Sequence, residues 1–269
     1  MTYSTRESSE FDGQPIEIYS FFRGGNVWRY TSADEDKTVS GQVYEAIPIS
    51  RSTIEQTQEM ARSNLTLHMT KDADLLTQFR GSPPTSVINL NIKRYHEGLQ
   101  EFITMWLGRV INVKFTETEG EVRCEPVYTS LRRPVLRMRY QTTCPHVLYG
   151  NGCNVIRSNF LVNGTLLSNS GTLINIGEAA LKPDGYFSGG YIDWTNSGDT
   201  QRRFILSHTG QQLEINLPFS GIIGGASMVM YPGCDHLLLT CNDKFSNVVN
   251  YGGQPFYPGK NPFIGTSIF

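Results

Sequence analysis

Cysteine is the residue in this chain best suited to gathering a soft metal centre, and four of the five copies fall in two runs. These are Cys144-Pro-His-Val-Leu-Tyr-Gly-Asn-Gly-Cys153 and Cys234-Asp-His-Leu-Leu-Leu-Thr-Cys241. Gly, Pro and Asn lie in or beside each run, and such residues bend a backbone so that several sulfurs can face one point. Eight residues separate Cys144 from Cys153 and six separate Cys234 from Cys241, wider than the roughly two to four usual in zinc fingers and ribbons. An iron–sulfur cage accepts wider spacing, because its thiolates bind different irons and loops can approach from several sides. Gly150, Gly152 and Gly233 leave room for backbone N–H groups beside the sulfurs. Spacing alone leaves open an iron–sulfur site, a zinc site, and ordinary buried thiols or disulfides, with Cys144, Cys153, Cys234 and Cys241 as the candidate ligands.

His146 and His236 each follow a cysteine by two residues. They read as hydrogen-bonding or packing neighbours, since four thiolates already complete a site. Cys124, in Glu121-Val-Arg-Cys-Glu-Pro126, alternates like a strand residue and reads as a small buried hydrophobe. His68, His96 and His208 have no nucleophile nearby, and His208 is expected in a hairpin turn. Asp72 and Asp74 suit the first turn of a short helix, where negative charge is favoured by the dipole. The chain has no Gly-x-Ser-x-Gly elbow, phosphate-binding loop, His-Glu-x-x-His or dinucleotide fingerprint. A non-enzymatic role is therefore expected.

The 269 residues carry a net charge of −2 and an isoelectric point of about 6.2, so no basic excess points to nucleic acid or an anionic membrane. The first ten residues hold no apolar core of a leader, and no stretch approaches the roughly 20 apolar residues that span a bilayer. Synthesis and folding in a cytosol are expected, where disulfides are disfavoured and clustered cysteines bind metals or catalyse.

The elements that must position these thiols read as β-strands. Ile16–Phe22 and Asn26–Thr31 flank Arg23-Gly24-Gly25 as a hairpin. Further strands are predicted over Val39–Ile47, Asn64–Thr70, Val87–Tyr95, Gln100–Phe115 and Val122–Thr129, with a short helix over Asp72–Phe79. Gly190–Thr195 and Arg202–Ser207 form a second hairpin around Asn196-Ser-Gly-Asp199, followed by Gln212–Leu217. The polar segment Ser50–Glu59 reads as a solvated stretch or a docking surface for a neighbouring subunit. A boundary near Leu131-Arg-Arg-Pro134 divides the chain into a β-rich domain, 1–130, and a cysteine-bearing domain, 131–269.

Cys144 to Val155 resembles the first cysteine motif of a siphophage tail-tip hub family that takes in the tail tip protein of bacteriophage lambda and the hub of gene transfer agents. Gly233 to Phe256 is similar to its second, a cysteine pair followed by a Lys/Arg-Phe-x-Asn run, here Lys244-Phe-Ser-Asn247, and a Gly-x-Pro turn, here Gly253-Gln-Pro255. Ile16 to Ile54, with Arg23-Gly-Gly25, Trp28-Arg-Tyr-Thr-Ser-Ala-Asp34 and Pro48-Ile-Ser-Arg51, is similar too. The insert between the cysteine motifs, Asn154 to Gly233, is long, and the motifs imply no fold for it.

The resemblance implies a mainly β protein: an N-terminal tail-tube-like β-barrel or sandwich that continues the tube, and a loop-rich C-terminal iron–sulfur domain with β-hairpins. It implies that Cys144, Cys153, Cys234 and Cys241 hold a [4Fe–4S] cluster, with zinc as the second choice of metal. The implied assembly is a homotrimeric ring at the virion tail tip, made in the host cytoplasm. A distal tail or tube protein would lie above it and a central tip or fibre-attachment protein below. DNA would pass only transiently through the lumen, and no stable membrane contact is expected. The rivals are a zinc-stapled adaptor or receptor-binding module, and an iron–sulfur redox enzyme, which would need an open iron or a cofactor motif.

Overall fold

Apolar and polar residues alternate strictly in Leu65-Thr-Leu-His-Met-Thr70, and successive strand residues point to opposite faces. Leu65, Leu67 and Met69 are accordingly buried while their neighbours are not. Most of the chain repeats this logic. The computed structural model describes residues 3–9, 13, 15–55, 63–81, 83–99, 101–132, 138–196 and 199–256. It divides into two compact units, Met1–Pro134 and Val135–Phe269. The expected boundary residues beyond Arg132, the turn residues 197 and 198, and much of the polar segment after residue 55 lie outside the described residues.

The first unit is one nine-stranded sheet. Its strands are β1 (Pro15–Arg23), β2 (Asn26–Thr31), β3 (Lys37–Val39), β4 (Gln42–Ala46), β5 (Ile49–Arg51), β6 (Leu65–Thr70), β7 (Asn89–His96), β8 (Phe102–Phe115) and β9 (Glu119–Pro126), with short helices α1 (Tyr3–Glu7) and α2 (Asp74–Thr77). The order is β3-β4-β2-β1-β7-β8-β9-β6-β5. The expected glycine hairpin joins β1 to β2, with Arg23 opposite Asn26. The strand predicted over Val39–Ile47 is instead the second arm of a hairpin: Ser40 and Gly41 both have positive φ (50° and 74°), the signature of a two-residue turn that suits strand twist.

Although β2 and β6 stand five strands apart, Tyr30 and Phe21 share one core with Leu65, Leu67 and Met69. A flat sheet would hold those strands about 24 Å apart at ~4.8 Å per strand, so this sheet coils around its own core. Glu17 on β1 meets Arg51 on β5 at 2.6 and 2.9 Å. Side chains thus join the edge strand β5 to the interior strand β1 across the curl, and among the described residues no backbone ladder closes it.

The closed barrel lies in the second unit, where a loop-rich domain with β-hairpins is expected from sequence, whereas the first unit, expected as a β-barrel or sandwich, is the single sheet described above. The barrel is built from the insert between the cysteine runs: β10 (Val162–Ser170), β11 (Leu173–Ile176), β12 (Tyr191–Asn196), β13 (Asp199–Thr209), β14 (Gln212–Ile215) and β15 (Ser227–Tyr231). The order β10-β11-β14-β13-β12-β15 returns to β10. Register shifts at Leu166/Ser168 and Ile205/Ser207 fall where β10 and β13 change partners. The first halves of β10 and β13 pair with β15 and β12, and their second halves pair with β11 and β14. Bulges bend strands and let one strand serve two sheet faces. Leu166, Ile174, Ile176, Phe187, Ile192, Ile205, Leu213, Ile215, Met228 and Met230 fill the interior, as expected of a small barrel. His208 is a buried residue of β13, not a turn residue, with Nε2 3.0 Å from the Gly210 carbonyl.

Candidate metal centre

The barrel delivers the second cysteine run directly. β15 ends at Tyr231, and the buried pair Pro232-Gly233 carries the chain across residues 188–190. A Cβ on Gly233 would stand 2.0 Å from the Ser188 oxygen and 2.3 Å from the Gly189 carbonyl carbon, so only glycine lets the two backbones pass. Cys234 follows at once. The Asp235 carboxylate then accepts the Leu237 N–H (2.9 Å) and the Thr240 hydroxyl (2.8 Å), turning the chain into a short helix, α3 (Leu238–Asp243), which carries Cys241.

The first run is tied onto this frame. Cys144 donates its N–H to the His236 carbonyl (2.9 Å), and the Tyr149 hydroxyl donates to the Pro232 carbonyl (2.8 Å). Asn247 donates through Nδ2 to the Cys153 carbonyl (2.6 Å). The Tyr251 hydroxyl reaches the carbonyls of Thr142 (2.8 Å) and His236 (3.2 Å), and the Gln254 N–H reaches the Gln141 carbonyl (2.9 Å). The Phe245–Phe256 stretch therefore braces both runs.

These ties bring Cys144, Cys153, Cys234 and Cys241 to the lining of one pocket, with walls from Leu148, Val155, Leu237 and Phe245 and polar edges from His146, His236, Asn247, Asn250 and Tyr251. Cys153, Val155 and Phe245 pack as a small core of their own, with Leu148, Tyr149, Phe160 and Cys234 against it. Leu239, from the same run, is 72% exposed and is not among the residues lining this pocket. Cys124 is fully buried in the first unit's core, where burial pushes its thiol up to about 12.

The donor set fits a thiophilic group. The His236 N–H points at Cys234 Sγ (3.3 Å), and Asn247 Nδ2 lies 3.8 Å from Cys153 Sγ, the kind of donors that support thiolate charge. Burial raises the Cys234 and Cys241 thiols, and the neighbouring site cysteines push the same way. A bound metal opposes both effects, because it takes the thiolate directly. Among the described residues, no three His, Cys, Asp or Glu side chains form a set that could hold a single metal ion. The four cysteines line the same pocket, and thiolates are ligands for zinc and for iron–sulfur clusters alike.

Backbone conformation marks the same place. Among the described residues five non-glycine positions have positive φ, and four of them, Tyr149, Asn154, His236 and Ser246, belong to the cysteine segments. Such conformations cost about 1–3 kcal/mol each and concentrate where function demands them. Sequence reasoning assigned no role to Asn247, although it stands in the Lys-Phe-x-Asn run. His146 also does more than neighbour a cysteine: its ring fills the space that Cβ atoms on Gly152 and Gly252 would occupy, at 2.5 and 2.4 Å.

Lys244 sits beneath the second run. It donates to the Gly233 carbonyl (2.7 Å) and to that of Tyr186, and burial lowers it to about 8, partly offset by Cys234 and Asp235.

Residues 21–156 match the family described as "Baseplate hub protein, N-terminal attachment domain". Residues 185–261 match "Phage conserved hypothetical protein BR0599". A protein of Xylella fastidiosa (strain 9a5c), described as "Uncharacterized protein", is 29% identical over 170 residues, which span 58% of this chain and 35% of the relative. The chain thus aligns with about a third of that relative's length. In three dimensions the fold matches a chain from the "Virion of native gene transfer agent (GTA) particle", with a TM-score of 0.82 over 99% of this chain and 96% of that one at 14% identity. At that identity the likeness is one of fold.

Proposed function

We propose, on the premise that this chain belongs to the baseplate hub family through its N-terminal attachment domain, that it forms a ring extending the phage tail tube and joining it to the distal tip. Structural service in the virion tail follows from the family. Our own reading is the finer assembly: three copies in the ring, a distal tail protein above, a central tip or fibre-attachment protein below, and DNA passing transiently. The observation carrying the reading of the centre is that four cysteines from runs about eighty residues apart in sequence line one pocket. Cys144, Cys153, Cys234 and Cys241 would hold a [4Fe–4S] cluster. When bound, it would act as a cross-link, adding its binding free energy to folding because the unfolded chain presents no such pocket.

The residues around it hold and shield; nothing in the reading requires turnover. Leu148, Val155 and Phe245 exclude water, Asn247 ties the Cys153 loop to the segment after α3, and Gly233 lets Cys234 leave the barrel wall at the required place. Anaerobically purified protein is expected to contain about four irons per chain for this cluster type, with broad visible absorption. Stoichiometric zinc without iron would replace the cluster by a zinc staple, and absence of both metals would overturn the metal-centre reading.

A further inference from the structure

On the outer wall of the barrel, Phe204 of β13 stands opposite Tyr191 of β12, which stands opposite Tyr231 of β15. The Tyr191 and Tyr231 rings stack with centroids 4.6 Å apart, and Tyr149 from the first cysteine run meets both edge-on, at 6.1 and 6.3 Å. Two arginines flank the ladder. The Arg202 guanidinium lies 4.0 Å over Tyr191 and that of Arg157 5.8 Å from Tyr231.

Tyr191 and Phe204 open into a groove of about 730 Å³ whose opposite wall is the loop Pro145–Gly150. Its charged or titratable nitrogen groups are Arg157, Arg202, His146 and His236, and no carboxylate is among its lining residues. Asp193 holds Arg202 by two 2.7 Å contacts from outside the lining. Arg157 has no ion pair among the described residues. With Arg202 offset by Asp193, Arg157 supplies the positive charge at the groove, on a chain whose net charge is −2. The apolar anchors are accessible: Phe204 is 46% and Val147 75% exposed.

We propose that this groove docks an extended acidic segment of a partner protein, with a carboxylate at Arg157 and an apolar or aromatic side chain against Phe204. Guanidinium groups steadied over aromatic rings lose little freedom when they pair with carboxylates. Tyrosine and arginine at a groove centre are the residue types that carry most interface energy. The inference goes beyond the hub reading; the groove is lined by the barrel wall and by both cysteine runs, Cys234 included, so it rests on their fold and not on the identity of a metal.

The test is fluorescence anisotropy of the full chain with a dye-labelled short peptide of alternating glutamate and phenylalanine. Two controls accompany it: a lysine-for-glutamate counterpart and an alanine-for-phenylalanine counterpart. Both controls are expected to bind at least about tenfold more weakly, and Arg157→Glu and Phe204→Ala to weaken the acidic peptide by about tenfold each while circular dichroism and melting stay unchanged. Equal binding of the lysine peptide, no binding of the acidic one, or indifference to Arg157→Glu would overturn the proposal. So would 3-phenylpropionate alone binding as tightly as the peptide, which would make the groove a small-anion site.

Discussion

Each site thiol stands in a different setting: Cys144 on a backbone tie to His236, Cys153 beside Asn247, Cys234 under the His236 N–H, and Cys241 on α3. A serine oxygen is a poor replacement for thiolate toward iron. Cys144→Ser, Cys153→Ser, Cys234→Ser or Cys241→Ser is therefore expected to deplete iron and lower solubility, measured by metal analysis and soluble yield. Cys124→Ser should keep its iron and cost about 1–3 kcal/mol by placing a hydroxyl in a closed core. If Cys124→Ser bleaches the protein while Cys241→Ser does not, the ligand assignment is wrong. At Gly152 and Gly252 the His146 ring leaves no space for Cβ, so Gly252→Val should displace that imidazole and disturb the brace between the two runs. Iron retained in full with an unchanged melting point in that variant would show that the brace is dispensable.

At the scale of elements, the first unit's sheet is held in its curl by Glu17. Burial alone would raise this carboxyl, but hydrogen bonds from Arg51 and Tyr19, then Arg94, bring it below the ordinary value of 4.5. Because the folded value is depressed, the stabilisation is fully present above the unfolded value and is lost as pH falls through the folded one. Glu17→Gln is expected to cost about 2 kcal/mol at pH 7, by urea unfolding. The gap to the native protein should narrow as pH drops below about 4.3, the ordinary carboxylate range; a gap independent of pH would contradict this role. In the second unit, Gly233→Ala forces Cβ against two backbone atoms that cannot swing aside. It should cost several kcal/mol, about the upper range for single substitutions, and displace Cys234, so iron content and stability are expected to fall together.

For the whole molecule, a ring of identical copies needs heterologous contacts that close after a fixed rotation. Threefold closure is expected in electron micrographs of isolated tail tips. A single copy or a sixfold ring at that level would contradict the proposed assembly while leaving the metal question to chemical analysis. The two depend on different surfaces: copies in the proposed ring would meet through outward faces, whereas the four cysteines line a pocket inside the second unit.

The local patterns of this protein were readable before any tertiary contact was known. Alternation set β6 and most of β1, β2, β7 and β8, glycine placed the β1–β2 turn, and the cysteine runs with their bend residues marked the segments that line the pocket. These signals live within a few residues, where strand periodicity and turn conformations act. Strand closure does not. Both sheets carry bulges; which one becomes a barrel depended on β10 pairing with both β11 and β15 so that the ladder returns to its start, and that pairing has no reliable mark in sequence. The Ser40-Gly41 turn split an apparently continuous strand because serine took a positive φ. Only the fold placed Asn247 across from Cys153, 94 residues away, and set Phe204, Tyr191 and Tyr231 side by side. Contacts of that span follow from strand register and packing, which no single stretch of sequence contains.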